Sequence, residues 1–217
     1  MSMPGDAQIV EHLRTWLHEC GMEAAIVETA GGVHSPSPSG SSQADMLRPL
    51  RLPIILVGSS ILGGISSTRA SFESLRMRGY DIDVVLMFTS PYYGNDTYLA
   101  QYFVEHGIPL FTIEKPPARV ADTPTDVARM QTYYQHTLTT MAEVVQYLAD
   151  QHVRRYASLD TLGVRAHQHM WWPFTQHTRV APQDVTIVDS AHSDFFEAHV
   201  PGQGTSPMMD GSASWWT

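Results

Sequence analysis

The chain has 217 residues, of which 43% are hydrophobic and 16% charged, with a net charge of −9. This composition supports a packed core and argues against global disorder. It also argues against a nucleic-acid platform, which shows a basic stripe, but leaves nucleotide binding open through backbone N–H groups and one or two cations. The one cysteine, Cys20, rules out an internal disulfide and a cysteine metal cluster. It reads as a packing residue. No apolar run approaches the roughly 18 residues of a membrane span. The opening MSMPGDAQIVEHL has neither an apolar signal core nor an Arg-rich presequence, so location is not readable from it.

Asp6 is placed to cap a helix running to about Glu19, with Ile9, Val10, Leu13, Trp16 and Leu17 as its buried face. Gly21 ends it. Ala24 to Val27 reads as a short buried strand closing on a carboxylate, Glu28, and a loop opening with Thr29, Ala30, Gly31 and Gly32. Ser35 to Ser42 is a Pro/Ser/Gly loop, and Gln43 to Leu50 a short helix. Leu52 to Val57 is the next strand, Gly58 to Gly64 a loop and Ile65 to Arg78 a helix. Ile82 to Phe88, Asp96 to His106 and Ile108 to Ile113 follow as strand, helix and strand. Strand and helix alternate four times with crossovers too long for hairpins, which predicts a parallel sheet with helices on both faces.

Lys115 to Thr125 is Pro-rich. Asp126 to His152 reads as one long helix with a stripe of Met130, Tyr133, Tyr134, Leu138, Met141, Val144, Val145 and Leu148, most simply a core or docking face. Regular alternation stops after about Tyr156. The next stretch is dense in aromatics and histidines: His167, His169, Trp171, Trp172, Phe174 and His177. On a strand, His167 and His169 would point one way, but no carboxylate has a partner spacing for a metal. Val185 to Val188 and Phe195 to Val200 are expected to pair as a hairpin. The tail PGQGTSPMMDGSASWWT ends abruptly on Trp215–Trp216–Thr217, an apolar, aromatic ending that looks cut.

Two short motifs carry chemistry. In VETAGG, a carboxylate at the tip of a parallel strand sits where open α/β sheets bind ligands. Glu28 can hold Mg²⁺ bridging phosphate oxygens, and the adjacent glycines let backbone approach a phosphate. The bland alternative is a strand-end Glu before a turn. In LGGIS, a Gly pair precedes a helix whose first N–H groups, with Ser66, can bind a carboxylate. The alternative is a plain helix start. Two absences matter as much. No GxxxxGK[ST] phosphate loop occurs, and the only lysine, Lys115, lies in a Pro-rich loop where it is no Schiff-base candidate.

The run VETAGGVHSPSPSGSSQADMLRPLRLPIILVGSSILGGISSTRASFESLRMRGYDI resembles the C-terminal half of dethiobiotin synthetase, in the form fused to an aminotransferase in plants and fungi. WWPFTQHTRVAPQDVTIVDSAHSDFF and DGSASWWT resemble the opening of the 7,8-diaminopelargonic acid aminotransferase. The resemblance implies a partial P-loop-type domain over about residues 1–155, then a linker and the start of a fold-type I pyridoxal-phosphate domain over 156–217. It implies biotin synthesis: ATP- and Mg²⁺-dependent carboxylation of 7,8-diaminononanoate by CO₂ with ring closure, fused to S-adenosylmethionine-dependent transamination. By this likeness Glu28 is the Mg²⁺ ligand, and Thr29, Ala30 and Gly31 contact nucleotide. Gly63, Gly64, Ile65 and Ser66 hold the carboxylate end of the diamine across a homodimer interface, with Ser66 where the family usually has Asn. Phe88–Thr89 stand where an adenine-reading Asn often follows the strand. Trp215 lines the aminotransferase pocket, with Trp216 beside it.

The same likeness implies a mitochondrial protein, with the cytoplasm as alternative, that acts on small molecules and not on nucleic acid or membrane. A phosphate loop would precede Met1 and the cofactor lysine would follow Thr217, so the chain alone is expected to be inactive and prone to self-association. Two other readings stay open: a non-catalytic product that binds a full-length partner, and a different α/β nucleotide-binding ATPase.

Overall fold

In a computed structural model of the chain, residues 4–22, 24–170, 177–192, 195–200 and 202–209 are described. They fall into two units, Met1–Gln146 and Tyr147–Thr217.

The first unit opens with α1 (Asp6–Glu19). Its N-cap is Gly5, and Asp6, expected as the cap, is the first helical residue. The Asp6 carboxylate instead accepts from the Ser37 and Ser41 hydroxyls, and its N–H donates to Ser39 Oγ at 3.0 Å. The Ser41 hydrogen bond, joined by those from Ser37 and Ser39, lowers the Asp6 pKa. A single carboxylate thus pins the Pro/Ser loop to the helix. Of the expected apolar face only Val10 is buried, and Trp16 is half exposed.

Ala24 to Val27 is not a strand. It has no ladder partner among the described residues, and Ile26 is 83% exposed. Apolar residues become a strand only when a neighbour pairs with their backbone. The first strand of the sheet, β1 (Ile54–Gly58), pairs with β2 (Ile82–Phe88) and with no other described strand.

The sheet runs β1-β2-β3, with β3 at Leu110–Ile113, and both pairings are parallel. Three of the four expected strands are therefore present. Between them lie α3 (Gly64–Met77) and α4 (Asn95–Glu105), packed on the strands and on each other. The core on this face gathers Leu56, Phe72, Leu75, Tyr80, Ile82, Val85, Met87, Leu99, Phe103 and Ile108. Phe72 meets Tyr102, Phe103 and His106 edge-on. Val84, which alternates with its neighbour Val85 along β2, is also fully buried.

The short helix α2 (Gln43–Leu47) is capped by Ser42, whose hydroxyl accepts from the Asp45 N–H at 3.1 Å, and runs on into a 3₁₀ turn at Arg48–Leu50. Two contacts dock it on the core. Tyr80 Oη donates to the Ala44 carbonyl at 2.8 Å, and burial pushes the Tyr80 pKa up to about 12. Arg78 Nε donates to Asp45 at 2.8 Å. This contact, with Ser42, holds the Asp45 pKa at about 2 against 3.8 for the free group.

The long helix α5 covers Thr123–His169, well beyond the expected end at His152. The break in its stripe after Tyr156 marks a change of surroundings and not a change of backbone, since no proline interrupts the sequence to His169. Asp126 secures its start, accepting from the Val120 N–H at 3.0 Å and from Arg119 Nε at 2.7 Å. Tyr133 Oη donates to the carbonyl of Glu114, just past β3. In the stripe Val144 is buried, whereas Tyr134, Leu138 and Val145 are exposed. His167 and His169 lie on this helix, roughly 200° apart around it, so they do not share a face as they would on a strand.

The second unit carries an antiparallel sheet, β4 (Ile187–His192), β5 (Phe195–Val200) and β6 (Gly204–Met209). The expected hairpin is β4–β5, and the third strand is additional. Buried His199 joins Asp160 Oδ1 at 2.9 Å and Thr205 Oγ1 at 3.1 Å, linking sheet and helix. Gly163 is buried, and a Cβ there would stand 2.8 Å from the Pro182 carbonyl oxygen.

Tyr80→Phe is expected to cost about 1 kcal/mol in denaturant unfolding through the lost Ala44 bond. The lowered Asp45 pKa stabilises the fold fully above 3.8, and this contribution is lost as pH falls through about 2. Asp45→Asn is therefore expected to flatten the acid limb of a Tm–pH profile over that window; an unchanged slope counts against the Arg78 pairing.

Candidate functional site

A concavity lies beside the turn from β1 to α3. Ser59 N–H donates to Thr68 Oγ1 at 3.0 Å. The Asn95 amide donates to the Ser59 carbonyl at 3.1 Å and to the Ile61 carbonyl at 2.8 Å. The Gly64 N–H also reaches the Ile61 carbonyl, at 2.9 Å. Thr68 and Asn95 are both buried. The turn is therefore closed by side chains from the two following helices. Gly63 caps α3 with φ 80°, a left-handed conformation that suits glycine. Gly64 is needed for space: a Cβ there would collide with the Ser59 carbonyl oxygen and stand 2.7 Å from Asn95 Nδ2.

An open depression of about 550 Å³ adjoins this turn, lined by Leu62 and Gly63, by Ile65, Ser66, Arg69, Ala70 and Glu73 of α3, and by Tyr93 and Asn95. Ile65 and Ser66 are the second and third residues of α3, so their N–H groups have no intrahelical acceptor and sit at the positive end of the helix. Arg69 adds a fixed charge one turn on. It lies 4.5 Å above the Tyr102 ring and 3.8 Å from Glu73, and Tyr102 raises its pKa further. The wall thus combines apolar surface with free N–H donors and a guanidinium, a chemistry suited to a small molecule that ends in a carboxylate.

The Glu28 loop is separate in construction. Thr29 Oγ1 donates to the Gly31 carbonyl and Gly31 N–H to the Thr29 carbonyl, so the loop closes on itself. Gly31 has φ 112°, and a Cβ there would lie 2.5 Å from Ser35 Oγ. Gln43 N–H and Ala44 N–H then bond the carbonyls of Ser35 and Val33, which fastens the loop to α2. Glu28, Thr29, Ala30 and Gly31 are all exposed, and none of them lines the depression.

One exposed carboxylate fits a Mg²⁺ ion that takes its other ligands from water and phosphate oxygens; it does not make a cage by itself. No group of three metal-ligating side chains occurs among the described residues. Pyridoxal phosphate finds no fit there either, since Lys115 is exposed in an irregular run beyond β3. Trp171, Trp172, Phe174, Trp215 and Trp216 lie outside the described residues, as does the His177 side chain.

The structure therefore brings Gly63, Ile65 and Ser66 together on one wall, with Gly64 packed beneath. Sequence reasoning missed Thr68, Arg69, Tyr93 and Asn95. Asn95 immediately precedes the expected helix Asp96 to His106; in the structure Gly94 is the N-cap, and the Asn95 amide reaches back to the turn.

No family model matches the chain. Over its full length it is 42% identical to the bifunctional dethiobiotin synthetase/adenosylmethionine-8-amino-7-oxononanoate aminotransferase of Emericella nidulans, covering 30% of that protein. Over 97% of its length it is 36% identical to the bifunctional dethiobiotin synthetase/7,8-diamino-pelargonic acid aminotransferase of Arabidopsis thaliana, a protein named as mitochondrial, covering 25% of it. A shorter stretch, 35% of the chain, is 40% identical to 32% of the ATP-dependent dethiobiotin synthetase of Phenylobacterium zucineum. The chain thus spans less than a third of the length of each of these relatives.

Gly64→Ala is expected to destabilise the fold by about 1–3 kcal/mol, because the added methyl must displace backbone. Gly32→Ala, where a Cβ meets nothing within 4 Å, serves as the control in the same unfolding experiment.

Proposed function

The chain is a homologue of the bifunctional dethiobiotin synthetase/aminotransferases, and on that footing we propose that it carries the substrate side of a dethiobiotin synthetase site. Its place is biotin synthesis. The complete protein joins CO₂ to 7,8-diaminononanoate with ATP and closes the cyclic urea. The observation that carries this reading is the β1–α3 turn, where free N–H groups of Ile65 and Ser66 border a depression that also holds Arg69.

In this reading the carboxylate end of the diamine lies against Gly63, Ile65 and Ser66, and Gly64 allows the turn its closure. Ser66 offers a hydroxyl where the family usually offers an amide, so it keeps a donor with shorter reach. Glu28 is the Mg²⁺ ligand, and Thr29, Ala30 and Gly31 meet the nucleotide with backbone groups. The metal supplies charge neutralisation for transferring phosphate. The open stretch at Glu28 and the depression at Ser66 belong to the nucleotide side and the diamine side of one site in the assembled enzyme, a homodimer.

We assign residues 1–155 to the synthetase-like part and 156–217 to a linker and the beginning of the aminotransferase-like part. Trp215 and Trp216 there contribute to the substrate pocket of the transaminase, whose pyridoxal phosphate is held by other residues. The plant relative named as mitochondrial supports a mitochondrial location. No described helix is long and apolar enough to cross a membrane.

The chain lacks a GxxxxGK[ST] loop to cradle the transferred phosphate. Incubated with ATP, Mg²⁺, bicarbonate and 7,8-diaminononanoate, it is expected to form no dethiobiotin by mass spectrometry; measurable product overturns the proposed inactivity. The binding role is tested separately. Titration with 7,8-diaminononanoate is expected to shift the Ile65 and Ser66 amide resonances, and their silence at saturating diamine overturns the substrate-side assignment.

A further inference from the structure

We infer that Asn95 is a positioning residue for recognition of the substrate carboxylate, acting through the backbone of the β1–α3 turn. The inference rests on the substrate-side reading above and adds to it a residue that neither the LGGIS motif nor the likeness to known proteins brings forward.

Asn95 is 5% exposed and lies in the first turn of α4, about thirty residues away from the motif in sequence. Both of its amide contacts go to the turn, to the Ser59 and Ile61 carbonyls at 3.1 and 2.8 Å. Those bonds fix two peptide planes. In a trans peptide the C=O and the following N–H point in opposite directions. Holding the Ile61 carbonyl toward α4 therefore turns the Leu62 N–H away from it, and holding the Ser59 carbonyl does the same for the Ser60 N–H. Leu62, the residue so oriented, lines the depression together with Asn95 itself.

The same turn sets where α3 begins. The Ile61 carbonyl takes the Gly64 N–H as well as the Asn95 amide, so the first helical residue is tied to the clamp. Thr68 secures the other end through the Ser59 N–H. The missing side chain at Gly64 is part of the arrangement, because a Cβ would push on both partners of the clamp, the Ser59 carbonyl and Asn95 Nδ2. The second glycine of LGGIS is thus explained by Asn95 as much as by any ligand.

The chemistry of the clamp requires a side-chain NH₂. Two carbonyl oxygens converge on one group, and only a donor satisfies both. Aspartate has nearly the same shape but sets carboxylate oxygens against carbonyl oxygens. The turn must then rotate, and the N–H groups that meet the ligand carboxylate rotate with it. A charged acceptor is sensitive to such a change, since hydrogen bonds to charged groups are shorter and roughly twice as strong as neutral ones.

The experiment compares two ligands on the full chain by titration calorimetry: 7,8-diaminononanoate, and 2,3-diaminooctane, the same diamine without its carboxylate. The wild-type chain is expected to prefer the first. Asn95→Leu, which removes the amide donors without adding a charge to the depression, is expected to reduce that preference at least about tenfold while affinity for 2,3-diaminooctane stays the same. Equal weakening of both ligands, or a preference left intact in a folded variant, overturns the positioning role. Absence of any preference in the wild-type chain overturns the carboxylate reading itself, and the inference with it. Circular dichroism checks the fold of each variant. If Asn95→Leu does not fold, Asn95→Ser, which keeps a single donor, is judged by the same ratio.

Discussion

The first unit depends on the closure of the β1–α3 turn by a buried amide. A parallel strand must hand over to its crossover helix at the carboxyl edge of the sheet, and the backbone there loses its ladder partners. Here Thr68 and Asn95 take over from the ladder, pairing the N–H and C=O of Ser59 and the C=O of Ile61. Because these groups come from α3 and α4, the turn forms only when both helices are seated. Phe72 and Phe103, which stack edge-on in the core, hold those helices together. Apolar packing and the polar clamp are therefore coupled, and the wall of the depression inherits the rigidity of both.

The Glu28 loop is ordered by other means. It folds on its own backbone, leans on the start of α2, and reaches α1 through the serines gathered on Asp6. None of these contacts comes from the sheet. The stretch before it, 24–27, lies without a ladder, and β1 presents an outer edge that no described strand pairs. An unpaired edge of this kind invites association with another backbone. The two candidate regions thus differ in kind: one is built into the core, the other is attached to its margin.

In the second unit the same principle appears with different groups. Buried His199 bridges Asp160 on α5 and Thr205 on β6, so a ring with two polar nitrogens joins three elements at one point. A buried polar group of this kind is tolerated because both nitrogens have partners. The third strand escaped sequence reading because GTSPMM combines glycine, serine and proline, residues that favour turns. Its pairing with β5 alone makes it an edge strand, where a proline does no harm to the ladder.

Much of the fold was legible from local pattern. The runs LPIILV and IDVVLMF are apolar enough to demand burial, and glycines at 79 and 107 end the helices that precede the next strands. Periodicity and punctuation are local properties, so the chain alone determined these elements and the parallel pairing of their strands. The likeness of VETAGG and LGGIS to dethiobiotin synthetase was equally legible, because it resides in consecutive residues. Tertiary structure alone decided three matters. Ala24 to Val27 is not a strand, since a strand requires a partner that no local pattern supplies. α5 continues past Tyr156, since an interrupted stripe does not break a backbone that can stay helical. Asn95 belongs to the LGGIS turn, since a hydrogen bond across more than thirty residues exists only once the core has brought α4 against β1.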